Sequence, residues 1–141
     1  LESLGVRMER HCANALAVAK WLDADPRVSW VSFPGLETDK YHALAEKYMP
    51  NGTCGVISFG VPGGREKVSA FLDHLKMVSI ATHVADARSC TLYPAGTTHR
   101  QLTEEQLEEA GVGIDLVRLS CGIENTADII ADLDQALAAV Q

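Results

Sequence analysis

The 141-residue chain lacks the features that mark several classes of protein. No apolar run approaches the roughly 20 residues needed to span a bilayer, and the first residues do not resemble a signal peptide. Basic residues are outnumbered by acidic ones, 12 against 19, and the resulting net charge of -7 is unfavourable for a nucleic-acid surface. We therefore expect a cytoplasmic protein that binds neither membranes nor nucleic acids.

Patterns typical of metal sites and common catalytic motifs are also absent. The four cysteines form no Cys-x-x-Cys pair, so reduced and mostly buried thiols are expected, and the five histidines have no His-x-x-x-His spacing. The glycines of Gly60–Gly64 do not form a phosphate-binding loop, and no Gly-x-Ser-x-Gly turn occurs. His99 lies in a small polar loop, where either a catalytic or a capping role is open. No metal site and no complete catalytic centre is predicted.

What the chain does contain is an alternation of helices and short strands. With 47% hydrophobic and 22% charged residues it has the composition of an ordinary globular domain. Amphipathic spacing, turn residues and β-branched runs predict one α/β (α+β) domain over residues 1–141. Helices are predicted at 4–22, 41–48, around 68–75, after a capping box at 103–106 and after Asn125. Strands are predicted at 28–33, 54–59, near 79–80, near 90–92 and around Arg118.

The apolar stripes of these elements predict a single core between a sheet and the helices. Its expected members are Met8, Leu16, Val68, Phe71, Leu72, Leu75, Val117, Leu119, Ile130, Leu133 and Leu137. The acidic run Glu104–Glu109 is expected to form a solvated helix face.

Arg118 stands inside an otherwise apolar strand. Alternation places Val117 and Leu119 on one face of this strand and Arg118 and Ser120 on the other. A guanidinium is seldom left buried without a partner, so Arg118 should meet an anion or open onto a cleft. Its planar fork suits a carboxylate ligand. A structural ion pair with an acidic residue of the chain is the alternative, and the strand by itself leaves both open.

Three segments of the chain resemble a known family. They are Arg7–Ala15, Asp86–Leu102 and Ala110–Glu124, the last followed by Asp128–Leu137. Together they are similar to the C-terminal small domain of the pyridoxal-phosphate-dependent enzymes of cysteine and methionine metabolism. Within that family, the Asp-Ala-Arg-Ser and Thr-Thr-His-x-Gln-Leu motifs are most similar to the O-acetylhomoserine sulfhydrylases.

The resemblance implies a fold and a missing partner. The fold would be the small C-terminal domain of fold-type I pyridoxal-phosphate-dependent transferases, a mostly antiparallel sheet with helices packed on one face. Residues 1–22 would be a helix leading in from a large domain that carries the cofactor lysine. No lysine of this chain lies in a matching Ser/Thr-rich loop. We therefore expect no catalytic and no cofactor-binding residue in this chain, which alone would be inactive.

The resemblance also implies site residues and a reaction. The arginine of the Arg-Leu-Ser-x-Gly-x-Glu motif would grip the substrate α-carboxylate, and this position is Arg118. Ser89 would lie beside the same carboxylate and contribute to its binding. The full-length enzyme, expected to be a homo-oligomer, would use pyridoxal 5'-phosphate to convert O-acetyl-L-homoserine and sulfide to L-homocysteine and acetate in methionine biosynthesis.

Two other interpretations remain open from the sequence. One is the same domain of a cystathionine γ-synthase, γ-lyase or β-lyase. The other, from a different class, is a stand-alone amino-acid-binding regulatory module, since alternating strands and helices would also suit one.

One segment departs from the family pattern. Where relatives tend to have Asn-Val-Gly-Asp-Ala, this chain has His83–Ala87. His83 is bulkier than asparagine and can titrate, and Ala85 does not adopt a positive φ as easily as glycine. We expect this loop to affect substrate preference.

Overall fold

A computed structural model describes residues 1–141 as a five-stranded sheet packed against helices. The helices are α1 (Leu4–Asp23), α2 (His42–Tyr48), α3 (Gly64–Asp73), α4 (Glu104–Glu109) and α5 (Thr126–Ala138), and a 3₁₀ turn covers Pro94–Gly96. The strands are β1 (Val31–Ser32), β2 (Val56–Gly60), β3 (Ser79–Ile80), β4 (Cys90–Leu92) and β5 (Leu116–Ser120).

The strand order is β1-β2-β5-β4-β3. Every neighbouring pair is antiparallel except β3 and β4, which are parallel. The predicted α/β class with a mostly antiparallel sheet is therefore confirmed. The central strand of the sheet is β5, which carries Arg118.

The hydrophobic core lies between one face of the sheet and helices α1, α3 and α5. In the ladder of β2 and β5, Ile57 pairs with Leu119 and Phe59 pairs with Val117, so the four side chains share a face. The ring of Phe59 meets Phe71 of α3 edge-to-face, with centroids 6.1 Å apart. Arg118, on the alternate position of β5, therefore points away from this core.

Most predicted elements are present, and the differences have local causes. The strand predicted at 28–33 shortens to Val31–Ser32 because a turn occupies its start: the backbone N–H of Arg27 donates to Asp25 Oδ1 at 2.9 Å, and that of Val28 donates to the Asp25 carbonyl.

The predicted core needs one correction. Met8 is wrong as a core residue, because the N-terminal part of α1 is solvent-exposed and Met8 lines a surface cavity beside Asn51. Three others lie at the rim, partly buried against the core: Leu16, Leu75 and Ile130. The remaining predicted core residues are buried.

The helix ends predicted from the sequence are present. Thr103 Oγ1 accepts from the backbone N–H of Gln106, whose side-chain oxygen accepts from the backbone N–H of Thr103, completing a capping box. Gly111, with φ +69°, ends this segment. The side-chain oxygen of Asn125 accepts from the backbone N–H of Ala127 at the start of α5. None of the helices combines the length and apolar character that crossing a membrane requires.

The cysteines are unpaired and unevenly buried. Cys90 and Cys121 are buried, as predicted, whereas Cys12 and Cys54 are only partly covered. Burial of Cys121, reinforced by the negative charge of Glu124, raises the pKa of its thiol to about 12. Because the thiolate is the reactive form, this side chain is inert and belongs to the core.

A buried carboxylate joins α5 to the turn before β3. Asp132 accepts hydrogen bonds from the backbone N–H groups of Lys76, Met77 and Val78 at 2.8–2.9 Å, and from Gln135. Burial alone would raise the pKa of Asp132, but these donors outweigh it, so the pKa is lowered from its ordinary value. The folded state thus favours the ionised form.

We expect Asp132→Asn to lower the free energy of unfolding by about 1–3 kcal/mol at neutral pH, because an amide cannot accept all of these bonds. The contribution of a carboxyl with a lowered folded-state pKa is present above its unfolded pKa of about 3.9 and is lost as pH falls through the folded-state value. Urea denaturation across pH should show the gap between wild type and variant closing in acid. Asp73→Asn, at an exposed position, is the control; a gap independent of pH would contradict this assignment.

Candidate functional site

Arg118 occupies the middle of the sheet. It pairs with Ser58 on β2 and with Leu92 on β4, so strands flank its backbone on both sides. The hydroxyl of Thr91 also donates to the Arg118 carbonyl at 3.2 Å. A rigid backbone of this kind suits a residue that must hold a ligand in a defined direction.

The guanidinium of Arg118 has no anionic partner. Its Nη2 donates to the carbonyl oxygen of Thr82 at 2.9 Å, and its Nε is buried without any hydrogen-bond acceptor. None of the ion pairs in the chain includes Arg118. The structural ion pair, which was the alternative interpretation of this strand, is therefore not formed. A buried donor without an acceptor is rare and costly, which makes Arg118 a candidate for binding a ligand.

Ser89 immediately precedes β4 and is fully buried. Its hydroxyl donates to Glu124 Oε2 at 3.0 Å and accepts from the backbone N–H of Gly122 at 2.9 Å. Its backbone N–H donates to Glu124 Oε1 at 2.6 Å, and its carbonyl accepts from the backbone N–H of Ser79. The structure therefore leaves Ser89 no free donor for a ligand, so any contribution to carboxylate binding acts through its position.

The loop Thr82–Ala87 links β3 to β4 and contacts β5 at two points. One is the Arg118 bond to the Thr82 carbonyl, and the other is the backbone N–H of Ala85, which donates to Ser120 Oγ at 3.2 Å. Sequence reasoning marked His83 and Ala85 in this loop but missed Thr82, Ser120 and Glu124. The alternation that places Ser120 on the Arg118 face was the available signal for Ser120.

Ala85 has φ +57° and is the single non-glycine residue with positive φ in the chain. For an L-residue this left-handed conformation costs roughly 1–2 kcal/mol. The loop thus adopts at Ala85 a conformation that glycine would adopt easily, and it does so under strain.

We expect Ala85→Gly to raise the free energy of unfolding by about 0.5–1 kcal/mol, because relief of the strain exceeds the added flexibility of glycine in the unfolded chain. Ala87→Gly is the matched control in the same loop, since Ala87 has an ordinary φ and should gain nothing. Urea denaturation of both variants provides the measurement. Equal effects of the two substitutions would mean that φ at Ala85 is not limiting.

Charged groups surround Asp86 at the exposed side of this loop. The His83 Nδ1 lies 3.8 Å from Asp86 Oδ2, and the Arg88 Nε lies 3.7 Å from Asp86 Oδ1. The backbone N–H of Arg88 donates to Asp86 and, with the charges of Arg88 and His83, lowers the pKa of this carboxyl. The loop beside Arg118 therefore carries a fixed negative charge with two basic neighbours.

The other candidate groups do not converge on Arg118. The backbone N–H of His99 donates to the Pro94 carbonyl at 2.9 Å, and its Nδ1 lies 2.9 Å from the Thr98 hydroxyl, so its side chain contacts no group of the Arg118 site. The largest cavity, about 590 Å³, lies between α1 and α2 and is lined by neither Arg118 nor Ser89. None of the other cavities is lined by Arg118 or Ser89 either.

The residues of this chain do not by themselves fit a lysine-bound cofactor. All lysines are exposed. The ammonium groups of Lys40 and Lys47 lie over the neighbouring rings of Tyr41 and Tyr48 at 4.9 and 5.0 Å. Lys67 lines an open cavity of about 230 Å³ beside Pro26 and Leu137, and no other lysine lines a cavity.

Comparison with known proteins places the chain among enzymes. Residues 1–138 match the model of the Cys/Met metabolism PLP-dependent enzymes. The chain is 50% identical to a homocysteine synthase of Schizosaccharomyces pombe and 46% identical to an O-acetyl-L-homoserine sulfhydrylase of Leptospira meyeri, in each case over 97% of its own length. It covers only 32% and 31% of these proteins, so it spans about a third of the length of the curated relatives it matches.

A solved structure agrees with this placement. The crystal structure of a protein assigned as an O-acetylhomoserine (thiol)-lyase of Campylobacter jejuni superimposes with a TM-score of 0.90 at 39% identity. The match covers 97% of this chain and 32% of that one, and that protein contains a pyridoxyl-lysine phosphate. The fold and the match over residues 1–138 lead to one conclusion. The chain belongs to the Cys/Met metabolism PLP-dependent enzyme family.

Proposed function

We propose that this chain is the substrate-binding C-terminal domain of a pyridoxal-phosphate-dependent O-acetylhomoserine sulfhydrylase. The full-length enzyme would convert O-acetyl-L-homoserine and sulfide to L-homocysteine and acetate. Relatives named as homocysteine synthases and sulfhydrylases, at 42–50% identity, support this reaction class. In the full-length enzyme α1 would lead in from the larger cofactor-binding domain.

The observation that carries the proposal is the unpaired guanidinium of Arg118. Its Nε is buried without an acceptor, and its Nη2 is bound only to a neutral carbonyl, that of Thr82. A substrate α-carboxylate that accepts from Nε would satisfy the donor that the chain leaves without a partner. Two parallel charge-assisted hydrogen bonds would then hold the carboxylate in one orientation.

Ser89 belongs to the same proposal in a supporting role. It directly precedes β4, at the end of the loop that contacts the guanidinium, and its polar groups are engaged by Glu124 and Gly122. We infer that Ser89 holds the loop that borders the carboxylate site in place. Its contribution to binding is therefore smaller than that of Arg118.

This domain would contribute to catalysis by orienting the substrate. When the carboxylate is held in one place, the Cα–H bond of the substrate points in one direction. This orientation lowers the entropic cost of the reaction step that follows. Pyridoxal phosphate, when bound in the full-length enzyme, supplies the electron sink for the carbanions of the reaction. The isolated chain should bind no cofactor covalently and should be inactive.

We also propose a cellular compartment and an oligomeric state for the full-length enzyme. We place the enzyme in the cytoplasm, where the four unpaired cysteines would stay reduced. We expect a homo-oligomer, because large apolar side chains are exposed on α1 and α2, among them Val6 at 76% and Tyr48 at 69%. The family match leaves the stand-alone regulatory module without a supporting observation.

A substrate comparison in the full-length enzyme tests the reaction. We expect the highest kcat/KM with O-acetyl-L-homoserine and sulfide, and lower values with O-succinyl-L-homoserine or cystathionine. Release of acetate and formation of homocysteine should be equimolar. A preference for cystathionine would instead identify a lyase of the same family, and O-succinyl-L-homoserine with cysteine would identify a γ-synthase. The 141-residue chain, without the large domain, is the inactive control.

A further inference from the structure

The Glu124 carboxylate lies at the end of the loop that contacts Arg118. Its Oε1 accepts from the backbone N–H of Ser89 at 2.6 Å, and its Oε2 accepts from the Ser89 hydroxyl at 3.0 Å. No cation lies within ion-pair distance of Glu124. Both of its oxygens are thus used to hold one residue, Ser89, which is fully buried.

The neighbours of Glu124 join the same two segments. The backbone N–H of Gly122 donates to Ser89 Oγ, and that of Ile123 donates to the Ala87 carbonyl at 2.9 Å. A Cβ at Gly122 would collide with the Glu124 carboxylate, the Ala87 carbonyl and the Ser89 amide. The segment 122–124 therefore clasps the segment 87–89 at a distance that only glycine permits.

Helix α1 fixes this clasp from the other side. Asn14 Nδ2 donates to the carbonyls of Gly122 and Glu124, both at 2.9 Å, and Arg10 Nη2 donates to the Glu124 carbonyl at 3.1 Å. The Nδ1 of the buried His11 donates to the Cys121 carbonyl at 2.6 Å. Because the backbone of Glu124 is held in this way, its side chain is a fixed support for Ser89.

We propose that Glu124 is a positioning residue for the carboxylate site. By holding Ser89, it fixes the end of the loop Thr82–Ala87, whose Thr82 carbonyl contacts Arg118 and whose Ala85 is strained. Glu124 does not touch the substrate, and it sets where the loop lies beside the guanidinium. The inference rests on the proposed function, because it gives the clasp a role only if Arg118 binds the substrate carboxylate.

Glu124→Gln changes the charge and the number of hydrogen-bond acceptors of the side chain while keeping its size. Ser89 presents two donors to Glu124, its N–H and its O–H. A carboxylate accepts from both, whereas an amide of the same shape has one acceptor oxygen and a nitrogen that only donates. Glu124→Gln must therefore break one of the two bonds while filling the same volume.

The experiment uses the full-length enzyme, with Glu124→Gln, Ser89→Ala, their double variant and Arg118→Ala. Glu124→Gln should raise KM for the amino-acid substrate about tenfold and leave kcat within about twofold. A change of this size is expected when one hydrogen bond that positions Ser89 is lost. The double variant should raise KM little more than Glu124→Gln alone, because both changes act through the same residue.

Asp39→Asn is the matched control. Asp39 also uses both carboxylate oxygens to accept hydrogen bonds within the chain, from the backbone N–H groups of Phe33 and Tyr41, but it lies at the far end of the sheet beside β1. This variant should lower thermal stability and leave KM unchanged. A rise in KM confined to Glu124→Gln and Ser89→Ala supports the inference.

Other outcomes overturn it in distinguishable ways. If Arg118→Ala raises KM while Glu124→Gln, like Asp39→Asn, changes only stability, the positioning role is wrong and the proposed function stands. If Arg118→Ala leaves KM unchanged, the proposed function fails and the inference fails with it. If Glu124→Gln yields no folded enzyme, Ser89→Ala decides alone: about a threefold rise in KM supports the inference, and wild-type KM overturns it.

Discussion

Arg118→Ala in the full-length enzyme should lower kcat/KM for the amino-acid substrate by about 10²- to 10³-fold or more. A charge-assisted hydrogen bond contributes roughly 1.5–3 kcal/mol, and a bidentate pair contains two, so a loss of about 3–5 kcal/mol is expected. The fold and the absorbance of the bound cofactor should be unchanged, because Arg118 forms no ion pair and its side chain lies outside the core. Steady-state kinetics, with circular dichroism as the folding check, provide the measurement.

Arg118→Lys is the control for geometry. An ammonium keeps the charge but cannot present two parallel donors, so it should recover only part of the loss. Full recovery would mean that charge alone is recognised. If Arg118→Ala instead unfolded the protein, and the folded remainder kept normal kcat/KM, the arginine would be structural and the proposed function would be wrong.

Phe71→Ala should lower the free energy of unfolding by about 3–5 kcal/mol. Phe71 is fully buried, and its ring packs edge-to-face on Phe59 across the interface between α3 and the sheet. Removing it leaves a cavity that the surrounding β2 and α5 side chains cannot fill without moving the sheet. Leu133→Ala on α5 should cost about 2–5 kcal/mol for the same reason. Denaturant titration of the 141-residue chain measures both.

Two controls separate packing from the general effect of substitution. Phe71→Leu keeps most of the buried volume and should cost less than Phe71→Ala. Leu44→Ala, at a site 52% exposed on α2, should change stability by less than about 0.5 kcal/mol. Losses well under 1 kcal/mol for both Phe71→Ala and Leu133→Ala would mean that the helix faces are assigned backwards.

Structural features that depend on neighbouring residues could be predicted from the sequence. The capping box at Thr103, the N-cap at Asn125 and the left-handed glycine at position 111 are each determined by residues within four positions of one another. The alternation in β5 likewise predicted that Arg118 lies on the face opposite Val117 and Leu119. These predictions depend only on backbone geometry and on the separation of apolar from polar side chains.

Contacts between distant segments were not readable in this way. The bonds that Glu124 makes to Ser89 join residues 35 positions apart, and those from Asn14 to the 122–124 segment span more than 100. No periodicity encodes such a pairing, so Ser89 was predicted as a ligand-binding side chain without any sign that its donors are engaged within the chain. The sequence drew attention to Ala85 because alanine adopts a positive φ less easily than glycine, but only the structure shows that alanine itself adopts φ +57° there.

The sequence by itself determined the order of the elements, the face on which the arginine of β5 lies and, through its motifs, the family. Only the tertiary structure decided that the guanidinium of Arg118 has no carboxylate partner and that Glu124 holds Ser89. The physical reason is the separation along the chain of the residues that interact. Helix caps, turns and alternation arise from neighbours along the chain, whereas the partner of a buried polar group is set by which segments the packed core brings within about 3 Å of it.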